Sequence, residues 1–439
     1  MISFPFVVVE ADALKLRQQQ PFLFHAIMTA TTGTTPHIQC VLGDEFKRQI
    51  AYSIEHSKKS LEVLQGLLVY GAWYTAFYRP ATQQIAIIVQ LCVALVQDLE
   101  FSSNQKKRVR PAAMKQYEQA VPSDPLAGKR AFLGTYFLAV TFAQAWRKRT
   151  TLSYTRYMGQ CCESFVNSSM ITDKFIPPMI QSCELISRVN DHFSYDDIEN
   201  SEVNGELMLE MSTSNFRKEL KRIRDSAARS TEVLQNTTLT LMFSLADTWI
   251  DECCLHSSLW HTSTHSDTSQ SSLIRLRMLH RTMASATSYL KTLLQLPKAQ
   301  LFHLGLQTWS SCFHVVIIIC KLVFLEDNER LGHTPFDGIQ EELENLRHLG
   351  VETRVSRIDI NKPSGYIQEG SWYPMAVTRQ YSVQELFDSF TDMLRFTLPL
   401  GCGPWTIPRE KRDSLHSIAS IHHLMQHGFT KRIQRFKPS

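Results

Sequence analysis

Amides, hydroxyls and carboxylates crowd one stretch of the chain, Asn190-Asp191-His192-Phe193-Ser194-Tyr195-Asp196-Asp197-Ile198-Glu199. Oxygen ligands three or four residues apart share a helix face, and such a set holds a hard cation such as magnesium against a diphosphate. Asn190 and Ser194 keep that spacing, whereas Glu199 lies five residues further on. Asp196 and Asp197 are adjacent, and helical neighbours point about 100° apart; solvated acids are the simpler reading of that pair. The vicinal thiols Cys161-Cys162 and Cys253-Cys254 diverge for the same reason, and nothing beside them lowers a thiol pKa, so packing is the simpler role. His423 and His427, with His422 beside them, stand at a ligand-like spacing near the C-terminus. No cysteine or carboxylate joins them, which favours an exposed tail over a metal site. None of the ten cysteines forms a Cys-x-x-Cys pair, and there is no Gly-rich phosphate loop or nucleophile elbow.

The Asn190–Glu199 stretch resembles the magnesium motif of class I terpene cyclases, an all-helical family with the pattern Asn-Asp-x-x-Ser-x-x-x-Glu. Here Ile198 takes the last position and the acid comes one residue late. A second, aspartate-rich motif is also missing, since Asp98 stands alone in Gln97-Asp98-Leu99-Glu100. A magnesium-dependent, diphosphate-handling cyclase using Asn190, Ser194 and Glu199 is therefore the alternative reading. A helix end running into an acidic loop is the preferred one.

The elements that would carry such residues are helices. Leu61, Leu64, Leu67 and Leu68, then Ile85, Ile88, Val89, Cys92, Leu95, Val96 and Leu99, recur at offsets of three and four. That period belongs to an α-helix. Arg79-Pro80 hinges the two segments, because proline lacks a donor N–H and restricts the residue before it. Further helices are expected at Pro21–Ala30, Asp44–His56, Gly128–Arg147, Tyr154–Phe165, Pro177–Phe193, Asn215–Leu234, Thr237–Cys254, Leu273–Leu294 and Gln300–Leu325. Arg147-Lys148-Arg149 would complement the carbonyl dipoles at its helix end. Ser382-Val383-Gln384-Glu385 is a capping box opening a helix to Phe396, and a short helix is expected near Gly338–Leu349. Phe4–Val9 reads as extended, an edge strand at most.

The expected fold is all-α, a compact multi-helix array. It divides into a helical core over 1–255, a polar Ser/Thr-rich insertion over 256–272, a helical continuation over 273–396 and a basic tail over 397–439. Leu64, Leu68, Trp73, Ile88, Cys92, Phe132 and Tyr136 are the expected core. With 439 residues, 44% apolar and 20% charged, the composition is that of an ordinary globular protein. A net charge of +4 does not mark a nucleic-acid binder. The N-terminus, with Glu10 and no basic leader, does not read as a signal peptide, and scattered thiols fit a reducing compartment. Cys312–Leu325, interrupted by His314 and Lys321, is too short for a membrane span. The basic runs Lys106–Arg110 and Lys431–Lys437 read as solvated segments that could double as a localisation or acidic-partner patch.

Several separated fragments carry a family likeness. They are Phe4-Pro5-Phe6-Val7-Val8, Arg17-Gln18-Gln19-Gln20-Pro21-Phe22-Leu23, Ser60 to Tyr70 with Ala72-Trp73-Tyr74, Lys129 to Tyr136, Tyr154 to Cys162, and Phe193 to Asp197. In this order they resemble the C-terminal regulatory region of fungal-specific zinc-cluster transcription regulators, over roughly residues 1–255. The resemblance implies a nuclear, non-enzymatic regulator of metabolic or secondary-metabolite genes. Its partners would be the transcription machinery, other regulators or a small-molecule effector, with no membrane association. The family's six-cysteine, two-zinc DNA-binding element has no counterpart in this sequence. Zinc and direct DNA reading therefore do not carry over, no cofactor is expected, and a fragment, a truncated gene model and a cluster-less relative all remain open.

Overall fold

The computed structural model describes residues 4–9, 11–33, 35–74, 83–103, 124–229, 233, 235–260, 273–301 and 304–328. Among these residues the regular structure is helical and no strand occurs. In chain order the helices are α1 (Ala13–Gln19), α2 (Pro21–Thr31), α3 (Pro36–Glu55), α4 (Leu61–Ala72), α5 (Ile85–Asp98) and α6 (Ala127–Ala145). They continue with α7 (Arg156–Glu163), α8 (Ile176–Phe193), α9 (Glu206–Ala227), α10 (Thr237–Asp251), α11 (Leu273–Leu294) and α12 (Leu306–Asn328). Single 3-10 turns cover Ile171–Phe175, Ile198–Asn200, Glu252–Leu255 and Ser257–Leu259.

Local chemistry starts several of them. Side-chain oxygens of Asp12, Ser60, Thr155 and Asn236 accept the otherwise unpaired N–H groups of α1, α4, α7 and α10. Pro21 and Pro36 occupy first-turn positions of α2 and α3, where a missing N–H costs nothing. Glu62, in the first turn of α4, accepts the Phe22 N–H at 2.8 Å and so ties the start of α2 to the start of α4.

The apolar faces meet in two clusters. One gathers α1 to α7 around Leu64, Leu68, Ile88, Cys92, Phe132 and Tyr136, all buried. The other gathers α9, α11 and α12 around Trp249, Met278, Tyr289, Trp309 and Ile319. Helices α8 and α10 serve both: Cys183 and Met242 face the first cluster, Ile186 and Leu245 the second. Close approach in the first cluster depends on two glycines. A Cβ at Gly66 would stand 2.5 Å from the Phe22 ring, and one at Gly134 would stand 2.7 Å from Phe6 Cβ. The first three family-like fragments and the Lys129–Tyr136 fragment thus pack on one another along a single seam.

Several expectations are corrected. Phe4–Val9 forms no strand; Phe6 is instead driven fully into the core. Helix α3 begins at Pro36, eight residues before the expected Asp44, and α9 begins at Glu206. Trp73 caps α4 and is half-buried, with Tyr74 rather than Trp73 enclosed. Leu259, placed in the polar insertion by its Ser-rich neighbours, is buried, and its carbonyl accepts the Gly205 N–H at 2.8 Å. The Arg79-Pro80 hinge, Lys106–Arg110, the Gly338–Leu349 and Ser382–Phe396 helices, Cys402, the histidines at 422, 423 and 427 and the Lys431–Lys437 run lie outside the described residues.

Candidate functional site

The Asn190–Glu199 set does not assemble. Helix α8 ends at Phe193, and Ser194 turns left-handed at φ 51°, breaking the face that Asn190 and Ser194 would share. Glu199 sits in a separate 3-10 turn. Asp196 pairs with Arg149 at 2.9 Å, and Asp197 accepts from Asn200 at 3.0 Å. Among the described residues no group of three or more His, Cys, Asp or Glu side chains is arranged to hold a metal ion. The vicinal thiols are buried, and burial pushes Cys162 and Cys254 up to about 12, so they act as core residues.

Two other features are built by the packing. The first is an apolar cavity where the end of α4, the start of α5, the second half of α6 and the first turn of α12 converge. Phe4, Trp73, Phe137, Phe142 and Trp146 give it an aromatic wall, with Thr238, Gln307, Thr308 and Ser310 opposite in composition. No lining side chain carries a charge, and the enclosed volume is about 50 Å³. The residues come from α6 running out at Ala145 and from α12 starting at Leu306, so two helix ends frame the space.

The second is a buried ionic centre beside those same ends. Glu252, just past α10, is fully enclosed. Arg147 leaves the end of α6 at φ 48° and its Nη2 donates to Glu252 Oε1. The same nitrogen lies 3.4 Å from His314 Nδ1. A guanidinium only donates, so Nδ1 accepts and the ring proton sits on Nε2. That Nε2 is 3.2 Å from Glu252 Oε2, and His256 Nε2 is 3.9 Å from Oε1. Neither contact is aligned as a hydrogen bond, and Glu252 Oε2, His256 Nε2 and His314 Nε2 are all buried without an aligned partner.

Burial alone would raise the Glu252 carboxyl. Arg147, then His314 and His256, reverse that and hold it well below the usual carboxylate range. Aromatic rings complete the enclosure. Arg147 lies over Trp249 at 4.9 Å and over Tyr195 at 5.5 Å, and His314 stacks on Trp249 at 4.9 Å. Tyr195 in turn donates its hydroxyl to the Trp249 carbonyl at 3.1 Å. Arg147 occupies the place a cation would take, so the centre is an organic ion pair rather than a metal site.

Sequence reasoning placed Arg147 at a helix end as a cation complementing the carbonyl dipoles and overlooked Glu252 and His256. The available signal was chemical. Glu252 closes an apolar run beside Trp249 and Cys253-Cys254, and His314 interrupts another, so each polar group must find a buried partner.

Comparison with known proteins finds similarity to fungal regulators over part of the chain. The transcription factor himD of Aspergillus japonicus is 28% identical over 192 residues, 42% of this chain and 32% of that protein. The transcription factor opdL of Penicillium oxalicum is 26% identical over 179 residues, 38% of this chain and 31% of its own length. The transcriptional regulator WAR1 of Candida albicans is 23% identical over 164 residues, 36% of this chain and 17% of that protein. The chain is similar to fungal transcription factors. The matched stretches span about a third or less of the relatives' lengths. No protein-family model matches the chain, and no solved structure matches it.

Proposed function

We propose that this chain is the regulatory region of a fungal transcriptional regulator, acting in the nucleus through protein partners and a small effector rather than by catalysis. Its apolar cavity, framed by two helix ends and lined without charge, is the observation that carries the effector role. The likeness to himD and opdL supports the transcriptional one. Control of metabolic or secondary-metabolite genes is the output we assign to it.

Two measurements test this reading. Fused to an unrelated DNA-binding domain in a fungal reporter strain, the chain is expected to change reporter output; an output equal to that of the DNA-binding domain alone overturns the proposal. In a gel-shift selection at about 0.15 M salt, the purified chain is expected to recover no defined motif, because sequence-blind phosphate attraction fades as salt displaces it. Recovery of one motif would mean that this chain reads DNA itself.

A further inference from the structure

We propose that the cavity receives the uncharged, apolar end of a small molecule, and that its occupancy is transmitted to the Arg147–Glu252–His314 centre. This rests on the effector role proposed above. The lining dictates the ligand class. A charged group entering among uncharged side chains would lose its hydration and gain no partner. Aromatic walls from Trp73, Phe142 and Trp146 instead suit a ring or a branched aliphatic end. The enclosed space of about 50 Å³ is smaller than the ~150 Å³ cavity that accommodates benzene elsewhere. It therefore seats one end of a molecule and leaves the remainder at the mouth. Half-buried Gln307 and Ser310 offer that remainder an amide and a hydroxyl.

The transmission follows from chain connectivity. Trp146 lines the cavity and caps α6; the next residue is Arg147, held left-handed and bound to Glu252. Ser310 lines the cavity from α12, and His314 stands one turn further along the same face of that helix. The two elements displaced by a ligand are thus the two that present Arg147 and His314 to the carboxylate. The centre can respond because three basic side chains compete for one carboxylate, Arg147 bound to it, His314 at 3.2 Å and His256 at 3.9 Å, so that more than one hydrogen-bond arrangement is open to it. A ligand shifts such an equilibrium only by binding one arrangement more tightly than the other.

The test uses the full chain, with phenol and cyclohexanol as uncharged probes and benzoate and benzylamine as charged ones of similar size. Binding is read by saturation-transfer NMR, and the centre by the imidazole carbon-bound proton signals of His256 and His314. These are assigned with His256→Asn and His314→Asn. Phenol and cyclohexanol are expected to bind saturably, and the charged probes at least tenfold more weakly. Ala145→Trp and Ser310→Trp each fill the cavity from a half-buried position and should weaken phenol binding at least tenfold, with cooperative melting retained in at least one of them. Phenol should move the His256 and His314 signals in the natural chain and not in the filled variants. Absence of saturable binding, equal binding of charged probes, or undiminished binding in the folded filled variant overturns the cavity assignment. Binding lost on filling, with imidazole signals that never move, overturns the transmission and leaves the effector role standing. Binding and moved signals without any reporter response would instead overturn the transcriptional reading and leave the present inference intact.

Discussion

Two arginine–carboxylate pairs on fully buried acids, Arg130–Asp173 and Arg147–Glu252, are built differently. Arg130 meets Asp173 as a fork, Nε to Oδ1 at 2.6 Å and Nη2 to Oδ2 at 2.7 Å. Ser168 donates to the same Oδ2 at 2.5 Å, and Asp124 takes the remaining Nη1. Every strong group there is matched, which is how a buried pair becomes a fixed brace between α6 and the turn before α8. Arg147 meets Glu252 through one oxygen only, leaving the other facing the His314 imidazole, which is close but misaligned. A saturated pair has a single low-energy arrangement. An incompletely satisfied one has neighbours that can exchange, and that is the pair lying beside the cavity.

Removing each arginine should separate the two most sharply. Arg130→Ala strands the fully buried Asp173 and should cost about 3–5 kcal/mol, read as the shift in a urea unfolding midpoint. A loss below about 1 kcal/mol would show that the fork is not a brace. Arg147→Ala should cost less, roughly 2 kcal/mol, because the His314 imidazole at 3.2 Å and the His256 imidazole at 3.9 Å remain beside the carboxylate that the guanidinium leaves. An Arg147→Ala deficit equal to that of Arg130→Ala in the same urea assay would remove the distinction.

Glu252→Gln probes the same centre from the acid side. The folded-state carboxyl is held well below its ordinary 4.5, so it contributes stability that is complete above pH 4.5 and lost as pH falls through the lower folded value. The gap between natural chain and variant should narrow on acidification below pH 4.5. Adjacent Asp251 is displaced upward by burial and gives the opposite slope, so the difference between the two proteins is the quantity to measure. Smallest of all should be Arg149→Ala at the outer pair with Asp196, where water surrounds the guanidinium and the urea midpoint should stay that of the natural chain.

Helical periodicity made most of the fold legible. The faces of Leu61–Ala72 and Ile85–Asp98 repeat every three or four residues, and the structure buries those faces. Boundaries were legible only where chemistry marked them. Ser60 and Pro21 did so, whereas Pro36 closes a polar run, Thr31–Thr35, that reads as a break and not as the approach to a helix. The site was harder to see. Its residues come from the ends of α6 and α10 and from the third turn of α12, up to 167 positions apart in the case of Arg147 and His314. No spacing rule connects such groups, and a left-handed residue after a helix is invisible to periodicity. The alternative, cation-binding reading of Asn190–Glu199 failed on the same kind of event, a left-handed Ser194 that ends the helix inside the motif, in keeping with the preferred reading of a helix end.

Gly66 rests against Phe22, and Gly134 against Phe6 and Leu68. The short words by which this chain is recognised as fungal-regulator-like are therefore steric instructions, fitting a bulky ring into a notch on the neighbouring helix. Shared vocabulary of that kind identifies a scaffold and stays silent about cargo. Of the cavity's walls, Ala145, Trp146, Gln307 and Ser310 fall outside those words while Phe4 and Trp73 belong to them, so chains carrying the same notches could share an aromatic wall and differ at the helix ends. Sorting such regulators by what they sense would then require reading the helix ends, where the recognisable phrases stop.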